Sequence, residues 1–245
     1  MDKKEYETLF NLEEKYWWFV GQRSVVTKIL QQHYATRKDL SLLDVGCGTG
    51  INITMLQQFG NAHGCDIATE AMEFCQQRGL EITKSDVMNL KFFDKTFDVV
   101  TALGLFYHKA VTNDVKGMKE IYRVLNPGGR LIIFDCAMMS LYGKHDLAFH
   151  GIRRYSKQEL QEKLEQSGFI VEKISYCNTL LFPFIFLKRK LEKFSSAPAT
   201  SEVQDNLPPW INSLLTKIYL WESKGVHHFN YPVGINIVAV GRKKE

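Results

Sequence analysis

The stretch Leu42-Leu43-Asp44-Val45-Gly46-Cys47-Gly48-Thr49-Gly50 decides the fold. Its first half is a short apolar run, its second half sets glycine at every other position, and the residues from Ile51 onward take a helical period. Strand, glycine loop and helix in that order open a βαβ unit. Glycines let the backbone turn tightly and approach a ligand, and the following helix offers free N–H groups and the positive end of its dipole to an anionic group. Outward from this point, short apolar runs alternate with helical stretches from Leu40 to Cys136, the pattern of a parallel sheet. The expected strands are Leu40 to Val45, Ala62 to Asp66, Leu80 to Lys84, Phe97 to Ala102 and Arg130 to Cys136. Helices are expected at Ile51 to Phe59, Thr69 to Arg78 and Asp114 to Leu125. Asn126-Pro127-Gly128-Gly129 then forces a turn.

Beyond Cys136 the rhythm changes. Ser156 to Ser167 reads as a helix with Glu159 at capping-box spacing from Ser156 and Gly168 as its stop. Phe169 to Cys177 and Val233 to Val240 read as two more strands. Between them, Phe184 to Phe194 and Trp210 to Ser223 are expected helices, separated by a Ser/Ala/Pro-rich joint at Ser195 to Thr200. An insertion of this size in a compact domain is usually functional or mobile. At the other end, Tyr6 to Tyr34 has helical period and carries Tyr16-Trp17-Trp18-Phe19. Four adjacent aromatic residues on a helix cannot all face one core, so one or two should be exposed or line a cavity.

Composition removes other classes. The chain has 245 residues, 45% hydrophobic and 24% charged, which excludes disordered, collagen-like and disulfide-scaffold proteins. A net charge of +4 lacks the basic bias of a dedicated nucleic-acid binder. The N-terminus has no apolar stretch of secretory type, and the longest apolar run, Leu180 to Leu187, is too short to span a bilayer and contains Pro183. The five cysteines (Cys47, Cys65, Cys75, Cys136, Cys177) are odd in number and include no C-x-x-C pair. They read as buried hydrophobes in a reducing, cytoplasmic protein. No metal-ligand spacing occurs, and His227-His228 lacks a partner at helical spacing.

The loop also narrows the ligand. Asp66 falls at the end of the second expected strand, twenty residues after Gly46, where an acid meets ribose hydroxyls. A dinucleotide fingerprint reads G-x-G-x-x-G, whereas this loop is G-x-G-x-G with a carboxylate, Asp44, two residues before its first glycine. That carboxylate is a poor neighbour for pyrophosphate but can accept hydrogen bonds from an ammonium group. A nucleoside bearing an amino acid suits it better.

On these residues the chain resembles the class I S-adenosylmethionine-dependent methyltransferases. Leu43 to Gly50 matches that family's first motif and Asp66 its ribose-binding acid. Ser85-Asp86-Val87 resembles the position beside the adenine, Phe97-Asp98-Val99-Val100 opens the fourth strand, and Leu125 to Leu131 resembles the turn into the fifth. Trp17-Trp18-Phe19 with Arg23, and His145-Asp146 with His150 to Tyr155, are similar to a bacterial subgroup of small-molecule methyltransferases. The resemblance implies an α/β fold, a Rossmann-like, mostly parallel seven-stranded sheet flanked by helices, with a helical N-terminal segment and a helical insertion before the last strand. The implied plan is an N-terminal cap (1–36), a cofactor-binding core (37–178), a lid insertion (179–232) and a last strand (233–245). S-adenosyl-L-methionine is the implied cofactor, held by Trp18, Arg23, Asp44, Gly46, Cys47, Gly48, Gly50, Asp66, Ile67, Asp86, Val87 and Leu103, with Arg23 toward the methionine carboxylate.

Methyl transfer from a sulfonium needs alignment, exclusion of water and, for a hydroxyl acceptor, a base. His108 in the loop after the fourth strand is the first candidate base, followed by His145 and His150 after the fifth. Arg153-Arg154-Tyr155 is either an anion-binding group or a structural clasp. The Asn/Asp-Pro-Pro-aromatic signature of amino-methylating nucleic-acid enzymes is absent, since Ala102-Leu103-Gly104-Leu105 stands there, and Cys136 follows Asp135 rather than proline. Nucleic acid is therefore disfavoured, and the expected acceptor is a small or lipid-like metabolite methylated on O, N or C. A non-methylating enzyme on the same fold, such as a cyclase, and a non-catalytic binding module are the alternatives. The insertion from Phe182 to Tyr231 with the aromatic helix is expected to form a mobile lid. A dimer interface, or weak contact with an anionic membrane through Lys188-Arg189-Lys190, are the other readings of that segment. The protein is accordingly expected to be a monomer or a homodimer.

Overall fold

Successive residues of a strand point to opposite faces, and that alternation sorts the apolar side chains into two layers. Leu43, Val100 and Ile133 face one layer, and Leu42, Val99 and Ile132 face the other. All six are fully buried, so the sheet needs helices on both sides. The computed structural model describes residues 3–35, 37–192, 207–226 and 228–245 of the chain. The strands are β1 (Leu40–Val45), β2 (Gly60–Asp66), β3 (Thr83–Lys84), β4 (Phe97–Leu103), β5 (Leu125–Cys136), β6 (Ile170–Cys177) and β7 (Asn236–Arg242), in the order β3-β2-β1-β4-β5-β7-β6. β7 runs antiparallel to both neighbours and the remaining pairs are parallel. The order reverses between β1 and β4, which opens a crevice outside the carboxyl ends of the strands.

The helices are α1 (Lys3–Leu12), α2 (Trp17–Tyr34), α3 (Ile51–Leu56), α4 (Thr69–Gln77), α5 (Asp114–Val124), α6 (Lys144–Ala148), α7 (Lys157–Gln166), α8 (Phe182–Glu192) and α9 (Pro209–Val226). Val25, Val26, Ile29 and Leu30 of α2 are fully buried against the sheet. Each such side chain contributes about 1.5–3 kcal/mol, so α2 is part of the core and not an appendage. α9 packs along α2, and the two backbones close up at Gly21, where a Cβ atom would lie 1.9 Å from Cδ1 of Tyr219. The cap of α7 is as read from sequence, with Ser156 Oγ accepting from the Glu159 N–H at 3.1 Å.

Four expectations differ from what folds. The helical stretch Tyr6 to Tyr34 is two helices, broken between Leu12 and Trp17. Only Thr83 and Lys84 of the Leu80 to Lys84 run pair, because β3 is an edge with a partner on one side. Asn126 to Gly129 does not separate helix from strand. Leu125 pairs with Phe97 and Arg130 with Val99, so the turn is a bulge inside β5 with Gly128 at φ +74°. The last strand starts at Asn236 rather than Val233 and runs to Arg242. The joint Ser195 to Thr200, the end of the helix expected to reach Phe194, and His227 lie outside the described residues.

Candidate functional site

The crevice holds a cavity of 320 Å³ at the carboxyl edge of the sheet. Every strand reaches it from that edge: β1 with Gly46, β2 with Asp66, β3 with Ser85 and Asp86 just beyond it, and β4 with Leu103. β5 supplies Asp135 and Cys136, β6 is followed by Asn178, and antiparallel β7 begins with Asn236. One half of the wall is thus built by β1 to β3 and the other by β5 to β7. Tyr16, Trp17, Trp18 and Phe19 all line it. Tyr16 and Trp17 are buried, and Trp18 and Phe19 are half-buried.

The glycine loop turns through left-handed conformations, with φ +70° at Gly46, +57° at Gly48 and +88° at Gly50. Gly48 faces open space, since a Cβ there would meet nothing within 4 Å. Gly50 is off the wall and is required for packing instead, as its Cβ would come within 2.9 Å of Cys75 Sγ on α4. Asp66 fixes the loop: its two oxygens accept from the N–H groups of Gly48 (3.0 Å) and Ala68 (2.9 Å). Burial raises its pKa and these two bonds oppose the rise. Asp86 accepts from Met88 N at 2.8 Å through one oxygen. Cys47, Ile67 and Val87 complete this half, Ile67 being 51% exposed.

Asp44 lies behind the loop, 1% exposed and not itself on the wall. Its Oδ1 accepts from the Thr101 hydroxyl at 2.6 Å, and its Oδ2 has no hydrogen-bond partner. Burial pushes this carboxyl up to about 7. Asn52, on the wall, has its Oδ1 buried and unpaired as well. Asn52 Oδ1, on the wall at the start of α3, is an acceptor that a bound ammonium group would satisfy, with Asp44 Oδ2 behind it near the end of β1.

Arg23 is not on the wall. It stands in a cluster with Glu13, Glu14 and Arg78, where burial and the neighbouring Arg78 lower its pKa, and its Nη2 donates to the Glu14 carbonyl at 3.2 Å. The break between α1 and α2 causes this, because the preceding turn covers that face of α2. Glu13 is the residue of this region that reaches the cavity. It accepts from the Thr49 hydroxyl and from Arg78 Nη2 at 2.8 Å, and so ties the turn to the glycine loop.

Of the three histidines, His108 and His145 line the cavity and His150 does not. His150 stands 3.7 Å from Glu5 and edge-on to the His108 ring at 5.9 Å. His108 Nδ1 accepts from the Ala110 N–H at 3.1 Å, so the neutral ring carries its hydrogen on Nε2, which is buried without a protein partner. Burial, with the neighbouring His150 and Lys109, lowers its pKa to about 4. In this bonding His108 Nε2 is a hydrogen-bond donor, and the base role expected of it is not what this tautomer offers.

Sequence reasoning missed most of the second half. Asp135 is 1% exposed, accepts from Cys136 N (2.8 Å) and Tyr107 N (3.2 Å), and burial raises its carboxyl to about 7. Asn178 is 1% exposed with both amide atoms unpaired, at φ +59°. Its conformation is held from behind by Glu222 on α9, which accepts from the N–H groups of Thr179 (2.9 Å) and Leu180 (2.9 Å). Asn236 Oδ1 accepts from Trp18 Nε1 at 3.0 Å. Arg154 and Arg189 reach the wall from either side of fully buried Asp146, at 2.8 and 3.8 Å. Arg153 and Tyr155 bond to Asp114 at 3.1 and 2.9 Å, which is the clasp reading of that run. The available signal was position, since Asn178 directly follows a strand at the ligand-binding edge. Among the described residues no group of three His, Cys, Asp or Glu side chains is placed to hold a metal.

Residues 43–133 match the family described as a methyltransferase domain. The chain is 35% identical over 144 residues to the probable tRNA methyltransferase 9B of Bos taurus, which is 57% of this chain and 31% of that one. It spans about a third or less of the mammalian proteins of that name that it matches. With the ubiquinone/menaquinone biosynthesis C-methyltransferase of Ruegeria sp. it shares 30% identity over 169 residues, covering 63% of this chain and 67% of the relative. The chain belongs to the class I S-adenosylmethionine-dependent methyltransferases. The fold of the class is found again in the geranyl diphosphate C-methyltransferase of Streptomyces coelicolor, solved with S-adenosyl-L-homocysteine. That match has a TM-score of 0.58 at 12% identity and covers 89% of this chain and 78% of that one. For a methyltransferase of this class, the open space at Gly48 and the unpaired oxygens of Asp44 and Asn52 fit the family's cofactor.

Proposed function

We propose that the protein transfers a methyl group from S-adenosylmethionine to an O, N or C atom of a small or lipid-like metabolite. The observation that carries this is one cavity spanning both halves of the carboxyl edge of the sheet, with a nucleoside-type wall at β1 to β3 and a separate polar wall at β5 to β7. Asp66 would take the ribose hydroxyls, Asp86 the adenine amino group, and Asp44 with Asn52 the ammonium group. When bound, S-adenosylmethionine supplies a methyl group already activated by a sulfonium charge. The chain's part is to align, to exclude water and to move a proton.

Trp18, Phe19 and Ile185 give the acceptor half its apolar lining, and Asn178 offers it a donor and an acceptor with no protein partner. His108 Nε2 is a further donor. Asp135 lines this half with its carboxyl raised by burial to about 7, which suits it as the proton acceptor for a substrate atom that must be deprotonated. In this reading residues 1–36 and 179–232 form a cover that closes over the core of 37–178 and 233–245. No described helix is long and apolar enough to cross a membrane. The location proposed from the unpaired cysteines is the cytoplasm.

The test is release of S-adenosylhomocysteine by the purified protein across a panel of phenols, amines, carboxylates and amphiphiles, with product mass read in parallel. Stoichiometric release with a gain of one methylene supports the proposal. Turnover of an acceptor without that release overturns it in favour of another reaction, such as a cyclisation, on the same fold.

A further inference from the structure

α9 carries large apolar side chains on both of its faces. Inward it buries Tyr219 and Val226 beside the polar Glu222 and Ser223. Outward it exposes Trp210 (69%), Leu214 (50%) and Trp221 (67%). Lys217 and Lys224 are also exposed. At 3.6 residues per turn these five positions project within an arc of about 80° and run along about 21 Å of helix. Large apolar side chains exposed in one continuous stripe, flanked by basic residues, mark an interaction surface, and none of the described residues buries this one. α8 repeats the arrangement. Ile185 lines the cavity, while Phe184 (73%) and Leu187 (59%) are exposed beside Lys188 and Lys190.

Charge decides which cover fits. The one acid of α9, Glu222, is 2% exposed and turned inward to the N–H groups of Thr179 and Leu180. The stripe therefore presents tryptophan, leucine and lysine to solvent and no carboxylate. A second copy docking by two-fold symmetry would bring the lysines together with no acid on this stripe to pair them. An anionic lipid surface meets both parts, because tryptophan partitions to the headgroup level and lysines are drawn to the phosphates. Neither helix is long and apolar enough to cross the bilayer, so the helices would lie in the interface.

We propose that the outer face of α8 and α9 is a docking surface for the anionic face of a lipid bilayer. The proposal does not depend on the methyl-transfer reading. If both hold, the bilayer lies against the helix whose Ile185 lines the cavity.

The experiment is co-sedimentation of the full chain with phosphatidylcholine vesicles, with and without phosphatidylglycerol, at low and high salt. Expected are binding to the anionic vesicles, a blue shift of tryptophan emission and loss of binding in salt. Near an anionic surface each lysine strengthens binding about fivefold, so Lys217→Gln with Lys224→Gln should weaken it about thirtyfold. Trp210→Ser with Trp221→Ser should abolish it. Circular dichroism and melting temperature check that both variants are folded, and exposed positions leave the fold intact. The proposal fails if the native chain does not sediment with anionic vesicles, or if neither double variant weakens its binding. It also fails if light scattering finds a dimer that the same variants dissolve, since the stripe is then a self-association face.

Discussion

Because Asp44 carries an unpaired buried oxygen and a carboxyl raised to about 7, cofactor affinity should carry a pH dependence that this residue sets near neutrality. An ammonium group binds the ionised form, so the apparent affinity scales with the ionised fraction of the free protein. For a pKa of about 7 that fraction is about 3% at pH 5.5 and about half at pH 7, so affinity should tighten about sixteenfold across this window as pH rises. The window stops at pH 7 because an α-amino group begins to lose its own proton near 7.7–8.0. Calorimetric titration with S-adenosylhomocysteine isolates the effect, since that ligand keeps the ammonium and lacks the sulfonium. In two buffers of different ionisation enthalpy, about half a proton should be released per ligand bound at pH 7. Asp44→Asn should bind more weakly and with a flat profile. A flat profile in the native protein, or the same slope in Asp44→Asn, would refute the reasoning. The sign on stability is opposite. A carboxyl whose folded pKa is raised contributes fully below its unfolded value near 3.8, and the free protein loses that contribution as pH rises toward and through about 7.

Asp66→Ala removes the acceptor for two ribose hydroxyls, each bond to a charged group being worth about 1.5–3 kcal/mol, and should weaken S-adenosylmethionine binding tenfold or more by calorimetry. An unchanged affinity takes Asp66 out of the site. Asp135→Asn should lower turnover of a protonated acceptor by about 10²–10⁴ with cofactor affinity retained, whereas His108→Ala should cost less than about tenfold. The reverse ranking of kcat would return the base role to His108. Asp146→Ala leaves buried Arg154 and Arg189 without their shared carboxylate and should cost about 3–5 kcal/mol in denaturant unfolding. A loss below about 1 kcal/mol would mean that the cluster carries little of the fold's stability.

The half of the cavity built by β1 to β3 was legible because its residues follow one another at fixed spacings in a single βαβ run. Asp44, Gly46, Gly48 and Asp66 are fixed by the turn between β1 and α3 and by the end of β2, which are local geometry. The second half is not local. Asp135, Asn178, Asn236 and Arg189 come from the ends of β5 and β6, the start of β7 and the insertion helix α8, and they meet only once the sheet has formed. No short spacing records that meeting. Arg23 stands off the wall for a related reason: the periodicity of Tyr6 to Tyr34 is continuous, and the break at residues 13–16 that covers one face of α2 leaves no proline or glycine to mark it. Histidine was chosen as base by residue type. The Ala110 N–H that fixes the His108 tautomer, and the burial that brings Asp135 to neutrality, are properties of the folded loop.

The contact at Gly21 has a consequence for how such a protein can change its acceptor. With a Cβ at that position only 1.9 Å from the Tyr219 ring, α2 and α9 are matched surfaces although they lie at opposite ends of the chain. Transplanting residues 179–232 from a relative with a larger residue at 219, or any residue other than glycine at 21, would wedge the two helices apart and drag Trp18 away from Asn236. Chimaeras should therefore be built by exchanging the N-terminal helices and the insertion together. Drift at these two distant segments should be correlated, so that new acceptors are acquired by swapping a pair of helices rather than by point changes around the glycine loop.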